Sequence, residues 1–251
     1  MDTEIPKKSW WLKNFEDAVK DSHLQSYDWQ HLTVEKRERE LASLITVHLP
    51  TIGKEDIVVN EVNYYAFSRA VSPLKDGERP DLMILERKQR IVQWERPKLY
   101  AEFKFWYNYD LGPKVDDSIG EFTSPRNYLD NLEDLHRLYK FKKFSPDTTC
   151  IQGFFFCYNM LAQGAYKNQG SGIPFFQIFL DTYCDSRKRE ELHKKIRGRV
   201  EKSTDEKNRQ RRELLNETPA MKLSGADNVI LLANAEEKDF WLYLALIEVD
   251  V

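Results

Sequence analysis

The sequence predicts an α/β fold, with a central mixed β-sheet carrying helices on its faces. Three observations point to it. Two segments, 33–50 and 124–144, place apolar residues at helical spacing. Between and after them run short stretches rich in β-branched and aromatic residues, which suit strands. The run "CIQGFFFCYNML", starting at Cys150, is continuously apolar, as a central strand buried on both faces requires.

The elements follow in order. Trp10, Trp11, Phe15, Ala18 and Val19 have roughly helical spacing and predict a short amphipathic helix over 9–22. Trp10 and Trp11 serve either the core, self-association or a partner surface. A stronger helix follows: Thr33 can cap it, Leu41, Leu44, Ile45 and Leu49 form its apolar stripe, and Pro50 stops it. "DIVVNEVNYYAF" reads as a strand and "SPLKDGERP" as a turn. "DLMIL" is a strand, "ERKQR" a polar turn and "IVQWE" its partner; "LYAEFKFW" is the next strand. Ser124-Pro125 opens a helix carrying Leu129, Leu132, Leu135 and Leu138. After the apolar run at Cys150, "IPFFQIFLDTYC" reads as a strand. Arg187 to Glu213 holds 12 Lys/Arg against 6 Asp/Glu and reads as a polar helix or an arm. "NVILLANA" and "FWLYLALIEVDV" close the chain as paired strands turned by "EEKD".

With 251 residues, one sizeable core is expected and two full domains would be tight. We expect a single domain over 1–251. Its core spans 33–160, its N-terminal helix 9–22, and its C-terminal extension 161–251, including a charged helix or arm at 186–216. Hydrophobic content of 41% and charged content of 31% suit a globular chain with a heavily solvated surface. A net charge of −3 gives no global attraction for polyanions, so an anionic partner must meet a local basic patch. Cys150, Cys157 and Cys184 are odd in number and form no C-x-x-C pair. This argues against a disulfide framework or a cysteine-rich zinc site and suits a reducing cytoplasm. No run approaches the roughly 18 apolar residues of a membrane span, and the N-terminus has no apolar leader core.

The chemistry concentrates in "RPDLMILERKQRIVQWERPKLYAEFKFW", residues 79–106. Alternation along a strand puts Glu102 and Lys104 on one face, about 6–7 Å apart. If the strand opened by Asp81 lies beside it, two carboxylates converge. Acids that close repel unless a cation stands between them. Hard oxygen ligands suit Mg²⁺ or Mn²⁺, and Lys104 can hold an attacking water and stabilise developing charge. The blander reading makes Asp81 a turn residue bonding a main-chain N–H, and Glu102 and Lys104 the wet face of an edge strand.

Pro80-Asp81 followed by Glu102-Phe103-Lys104 resembles the PD-(D/E)xK nuclease superfamily. The preceding helix, and the helix and strand that follow, resemble its core. Partial repeats of the pattern at Pro146-Asp147, Asp205-Glu206-Lys207 and Glu236-Glu237-Lys238 lack this strand context. The resemblance covers roughly 33–160 and implies a restriction-endonuclease-like core and an Mg²⁺- or Mn²⁺-dependent endonuclease. DNA is the favoured substrate, with RNA, or an inactive binding scaffold, as alternatives. It further implies that Asp81, Glu102 and the backbone carbonyl of Phe103 hold the metal. A third acid is implied from the first helix, where Glu38 competes with Glu35 and Glu40, while Glu61 is a supplementary ligand. "DLHRL" resembles a D-L-x-K-L pattern, with Asp134 and Arg137 at the matching positions and arginine replacing lysine.

Arg126, Arg137, Lys140, Lys142 and Lys143 lie on the helix after the motif and are candidate nucleic-acid contacts; the basic stretch 187–212 is either a second grip or a solvated face. Some proteins with this resemblance add a histidine ligand, for which His31, His48 and His136 are the candidates; His48 suits a core or helix-end role better. The resemblance suggests roles in restriction, phage defence, mobile elements or repair. Sequence preference would come from loops 107–123 and 161–174, a homodimer or a partner protein.

Overall fold

The structure is a computed structural model and describes residues 10–22, 38–49, 56–61, 78–107 save 90 and 95, 125–159, 180–200 save 182, 206, 212–216, 220–222, 229–235 and 240–250. Helix α1 (Trp10–Asp21) buries Trp11, Leu12, Phe15 and Ala18, the stripe its spacing predicts. Helix α2 (Glu38–His48) buries Leu41, Ala42 and Ile45. Thr33 and Pro50, proposed as its cap and stop, lie outside the described residues.

Strand β1 (Asp56–Val59) pairs antiparallel with β2 (Leu82–Lys88), and β2 pairs antiparallel with β4 (Leu99–Tyr107). The polar "ERKQR" is not wholly a turn: β2 runs on through Lys88, and the hairpin to β3 (Ile91–Val92) turns at Gln89, whose φ of 51° is left-handed. The side chains there are polar because the strand leaves the core, with Arg87 and Lys88 exposed.

Helix α3 (Pro125–Phe144) then carries the chain across to β5 (Thr149–Asn159), which pairs parallel with β4. Its C-terminal end is tied down: Lys142 Nζ donates to the carbonyls of Pro146 (2.8 Å) and Thr148 (2.9 Å), and Thr148 Oγ1 donates to Pro97 O (2.7 Å).

The expected strand "IPFFQIFLDTYC" is not one where the structure describes it. Leu180, Asp181, Tyr183 and Cys184 are helical. Leu180 and Tyr183 are buried three residues apart, the spacing of one helix face. Asp185 Oδ1 then accepts from the amides of Arg187 (2.8 Å) and Lys188 (3.0 Å) and caps helix α4 (Ser186–Val200). A 3₁₀ turn, η1 (Arg212–Asn216), leads to the short strand β6 (Ala220–Lys222), which sequence reading missed. Strands β7 (Val229–Ala235) and β8 (Phe240–Asp250) form the expected closing pair.

Among the described residues eight strands form one mixed sheet, in the order β1-β2-β4-β5-β8-β6, with β3 beside β2 and β7 beside β8. The C-terminal extension thus builds the sheet itself, since β8 pairs with β5 from Cys150↔Val249 to Asn159↔Phe240. Alternation sorts the core into two layers. Phe103, Phe105, Phe155, Leu242 and Leu244 face α1 and α2. Tyr100, Trp106, Phe154, Phe156 and Tyr243 face α3, α4 and η1. In β5, Gly153 stands beside Phe103; a Cβ there would lie 2.6 Å from Phe103 Cε1. No helix among the described residues is long and apolar enough to cross a membrane. Among the described residues no disulfide joins Cys150, Cys157 or Cys184.

Candidate functional site

The β2–β4 ladder ends at Leu82↔Ala101, so the next step sets Asp81 across from Glu102. Pro80 has no N–H with which to continue the ladder. Asp81 Oδ2 instead accepts the main-chain N–H of Phe103 at 2.7 Å. The main-chain bond of the blander reading is therefore made, and it leaves Asp81 Oδ1 uncommitted among the described residues. A residue's N–H and C=O leave an extended strand on the same side, so the Phe103 carbonyl faces the gap at the end of β2.

Glu102 and Lys104 project from β4 toward α3, as does Tyr100. Glu102 and Lys104 do not form the wet face of an edge strand, because Glu102 is buried and both side chains meet partners on α3. Glu102 is 2% exposed, a burial that a carboxylate tolerates only with partners. Tyr100 donates its hydroxyl to Glu102 Oε1 at 2.7 Å, and Arg137 Nη2 lies 3.2 Å from Glu102 Oε2. Arg137 Nη2 also bonds Asp134 Oδ1, one turn back on α3. Lys104 Nζ sits 2.7 Å from Asp134 Oδ2. Two carboxyl groups and two cations thus share one buried patch between β4 and α3, with Asp81 beside it at the end of β2.

Burial raises the carboxyl pKa values of all three acids above their ordinary range. For Glu102, which is raised well above, the repulsion of Asp134 and Asp81 adds to burial, while Arg137 and the Tyr100 hydrogen bond oppose it. Burial pulls Arg137 down, but Glu102 and Asp134 outweigh it and hold the guanidinium above its usual value. Burial, then the Glu102 charge, keeps the Tyr100 phenol protonated far above its ordinary range.

Glu38 opens α2, which packs on the opposite face of the sheet from Glu102 and Lys104; its side chain lies outside the described residues, as does Glu35, and Glu40 is exposed. Glu61 comes two residues after the last β1–β2 pair, Val59↔Met83, a position that a continued register would set opposite Asp81, and its φ of 44° bends the chain there. Arg137, expected to contact nucleic acid, is held inside the carboxylate cluster. Lys140 is exposed on α3, Lys143 stacks over the Tyr139 ring at 4.1 Å, and the Arg126 side chain lies outside the described residues. The loops 107–123 and 161–174 lie beyond the described residues apart from Tyr107 at the end of β4. His136 Nε2 donates to Leu214 O at 3.2 Å, His48 is half-buried at the end of α2, and His31 is outside the described residues. Tyr100 is the member of the cluster that sequence reading missed, although the same alternation that aligns residues 102 and 104 includes it.

No family model matches the chain, and no curated protein or solved structure matches it either. Among the described residues, no group of three or more His, Cys, Asp or Glu side chains forms a ready metal cage. The donor chemistry nonetheless suits a hard divalent ion. Asp81 Oδ1, the Glu102 carboxylate and the Phe103 carbonyl are hard oxygen donors on neighbouring stretches of chain.

Proposed function

We propose that this chain is a metal-dependent nuclease with a restriction-endonuclease-like core, hydrolysing phosphodiester bonds, with DNA the favoured substrate. The observation that carries the reading is the placement of Asp81 across from Glu102, with Lys104 two residues on along the same central strand. The element order from α2 to β5 supports it: helix, antiparallel strands, crossover helix, parallel strand.

Asp81, Glu102 and the Phe103 carbonyl would hold an Mg²⁺ or Mn²⁺ ion. When bound, such an ion polarises a phosphoryl oxygen and lowers the pKa of a coordinated water. The chain's own groups do the rest. Asp81 is fixed by the Phe103 amide, and Glu102 is fixed by Tyr100, so both arrive preoriented. Lys104, about a quarter exposed, presents an ammonium where negative charge develops on the substrate. Asp134 holds that ammonium in place.

A second reading has an observation in its favour. Tyr100, Arg137 and Lys104 already face every oxygen of Glu102 and Asp134, as a nuclease-derived binding scaffold without metal would need. Calorimetric titration with Mn²⁺ separates the two. The nuclease reading expects wild-type binding that Asp81→Asn and Glu102→Gln each weaken at least tenfold, with Mn²⁺-dependent cleavage of a DNA duplex. Absence of heat, or heat that neither substitution changes, sinks it. Cleavage of an RNA oligonucleotide in place of DNA would keep the chemistry and move the substrate.

A further inference from the structure

We infer that Arg137 is a built-in competitor of the divalent ion, a guanidinium lodged between Glu102 and Asp134 that has to leave before Glu102 can join Asp81 in holding a metal. The inference rests on the metal-dependent reading above.

A single nitrogen carries the argument. Arg137 Nη2 lies 3.2 Å from Glu102 Oε2 and also bonds Asp134 Oδ1. It therefore occupies the Glu102 oxygen that a divalent ion shared with Asp81 would need, and Asp134 helps to keep it there. Glu78, on the segment leading into Asp81, adds further negative charge that favours the guanidinium there. An incoming ion meets this positive charge as well as the desolvated pocket. Apparent metal affinity is then set by the cost of displacing Arg137, not by the carboxylates alone.

The hold is incomplete. Arg137 Nε is buried and has no hydrogen-bond partner among the described residues, while 24% of the side chain reaches solvent. A partner that took Nε–H together with a terminal N–H would draw the side chain outward. A phosphodiester does this, since guanidinium binds phosphate through parallel N–H donors. The nucleic-acid backbone thus frees Glu102 as it docks, and metal and substrate bind cooperatively through one arginine.

The test is Mn²⁺ calorimetry on the full chain, comparing wild type with Arg137→Gln and Arg137→Lys, each checked for folding by circular dichroism. Arg137→Gln should bind Mn²⁺ at least tenfold more tightly than wild type. Arg137→Lys, which keeps the charge but loses the planar fork, should fall between and carries the comparison if the glutamine variant does not fold. Equal or weaker binding in the folded variants overturns the inference while leaving a wild type that responds to Asp81→Asn as a metal protein. No Mn²⁺ heat in any variant overturns both. A short DNA duplex with slowly cleaved phosphorothioate linkages should tighten Mn²⁺ binding by the wild type but not by Arg137→Gln. A gain in both, or in neither, overturns the coupling.

Discussion

Gly153 has the least room to change of any described glycine. Its neighbour across the β4–β5 pair, Phe103, is fully buried, and its ring fills the space a side chain at 153 would take. The same Phe103 offers its amide to Asp81. Gly153→Ala therefore presses on the residue that orients a candidate ligand. We expect a loss of about 1–3 kcal/mol in urea unfolding, as overpacked cores show. At this scale the sequence told much of the story. Period-two alternation was enough to align Glu102 with Lys104, and applied one step further it includes Tyr100. What it could not tell was the partner of each charge. Asp134 and Arg137 are visibly one helical turn apart, but nothing local says that α3 lays them against β4 and not over solvent.

Helix α4 shows where charge counting misleads. Its surplus of lysine and arginine suggested a polar helix or an arm; it is a helix, yet Leu192 and Ile196 are buried, and Arg189 and His193 with them. Arg189 Nη1 donates to Tyr183 O at 2.6 Å. His193 Nδ1 donates to Leu215 O at 3.1 Å, so its Nε2 is the acceptor of the Tyr128 hydroxyl at 2.9 Å. Burial, chiefly, pulls His193 down from 6.5 to about 4. Between these values the unfolded chain holds a proton that the folded one refuses, so the stabilisation is full above 6.5 and is lost as pH falls toward 4. The loss is about 3 kcal/mol. His193→Gln should flatten this limb of stability against pH in denaturant melts. Comparing variant with wild type isolates His193 from Asp81, Glu102 and Asp134, whose raised values favour the folded state as pH drops. The helical turn at Leu180–Cys184 was misread for a related reason. An apolar run of that length fits a strand or a buried helix equally, and only the i, i+3 burial of Leu180 and Tyr183 decides it.

For the whole molecule, the expected core of 33–160 is not self-sufficient. Strand β5 is buried on both faces, and along one edge its partner is β8. Without β8, ten residues of β5, from Cys150 to Asn159, keep an unpaired edge, and the layers lose the core residues between Phe240 and Val249. A chain truncated after residue 160 should aggregate or elute as a collapsed species in size-exclusion chromatography, with no cooperative thermal transition. A monomer melting like the full chain would refute this. That two strands close the sequence was legible from their composition and the turn between them. That the second slots beside β5 was not, because pattern fixes what a strand is and leaves open which strand it meets. The topology also sets a tempo. Residues as distant along the chain as Cys150 and Val249 must find one another before the middle of the sheet exists. Such closures are slow to reach. Refolding from denaturant should therefore be sluggish and compete with clumping at high concentration, and a chaperone that shields β5 during that wait would raise the yield.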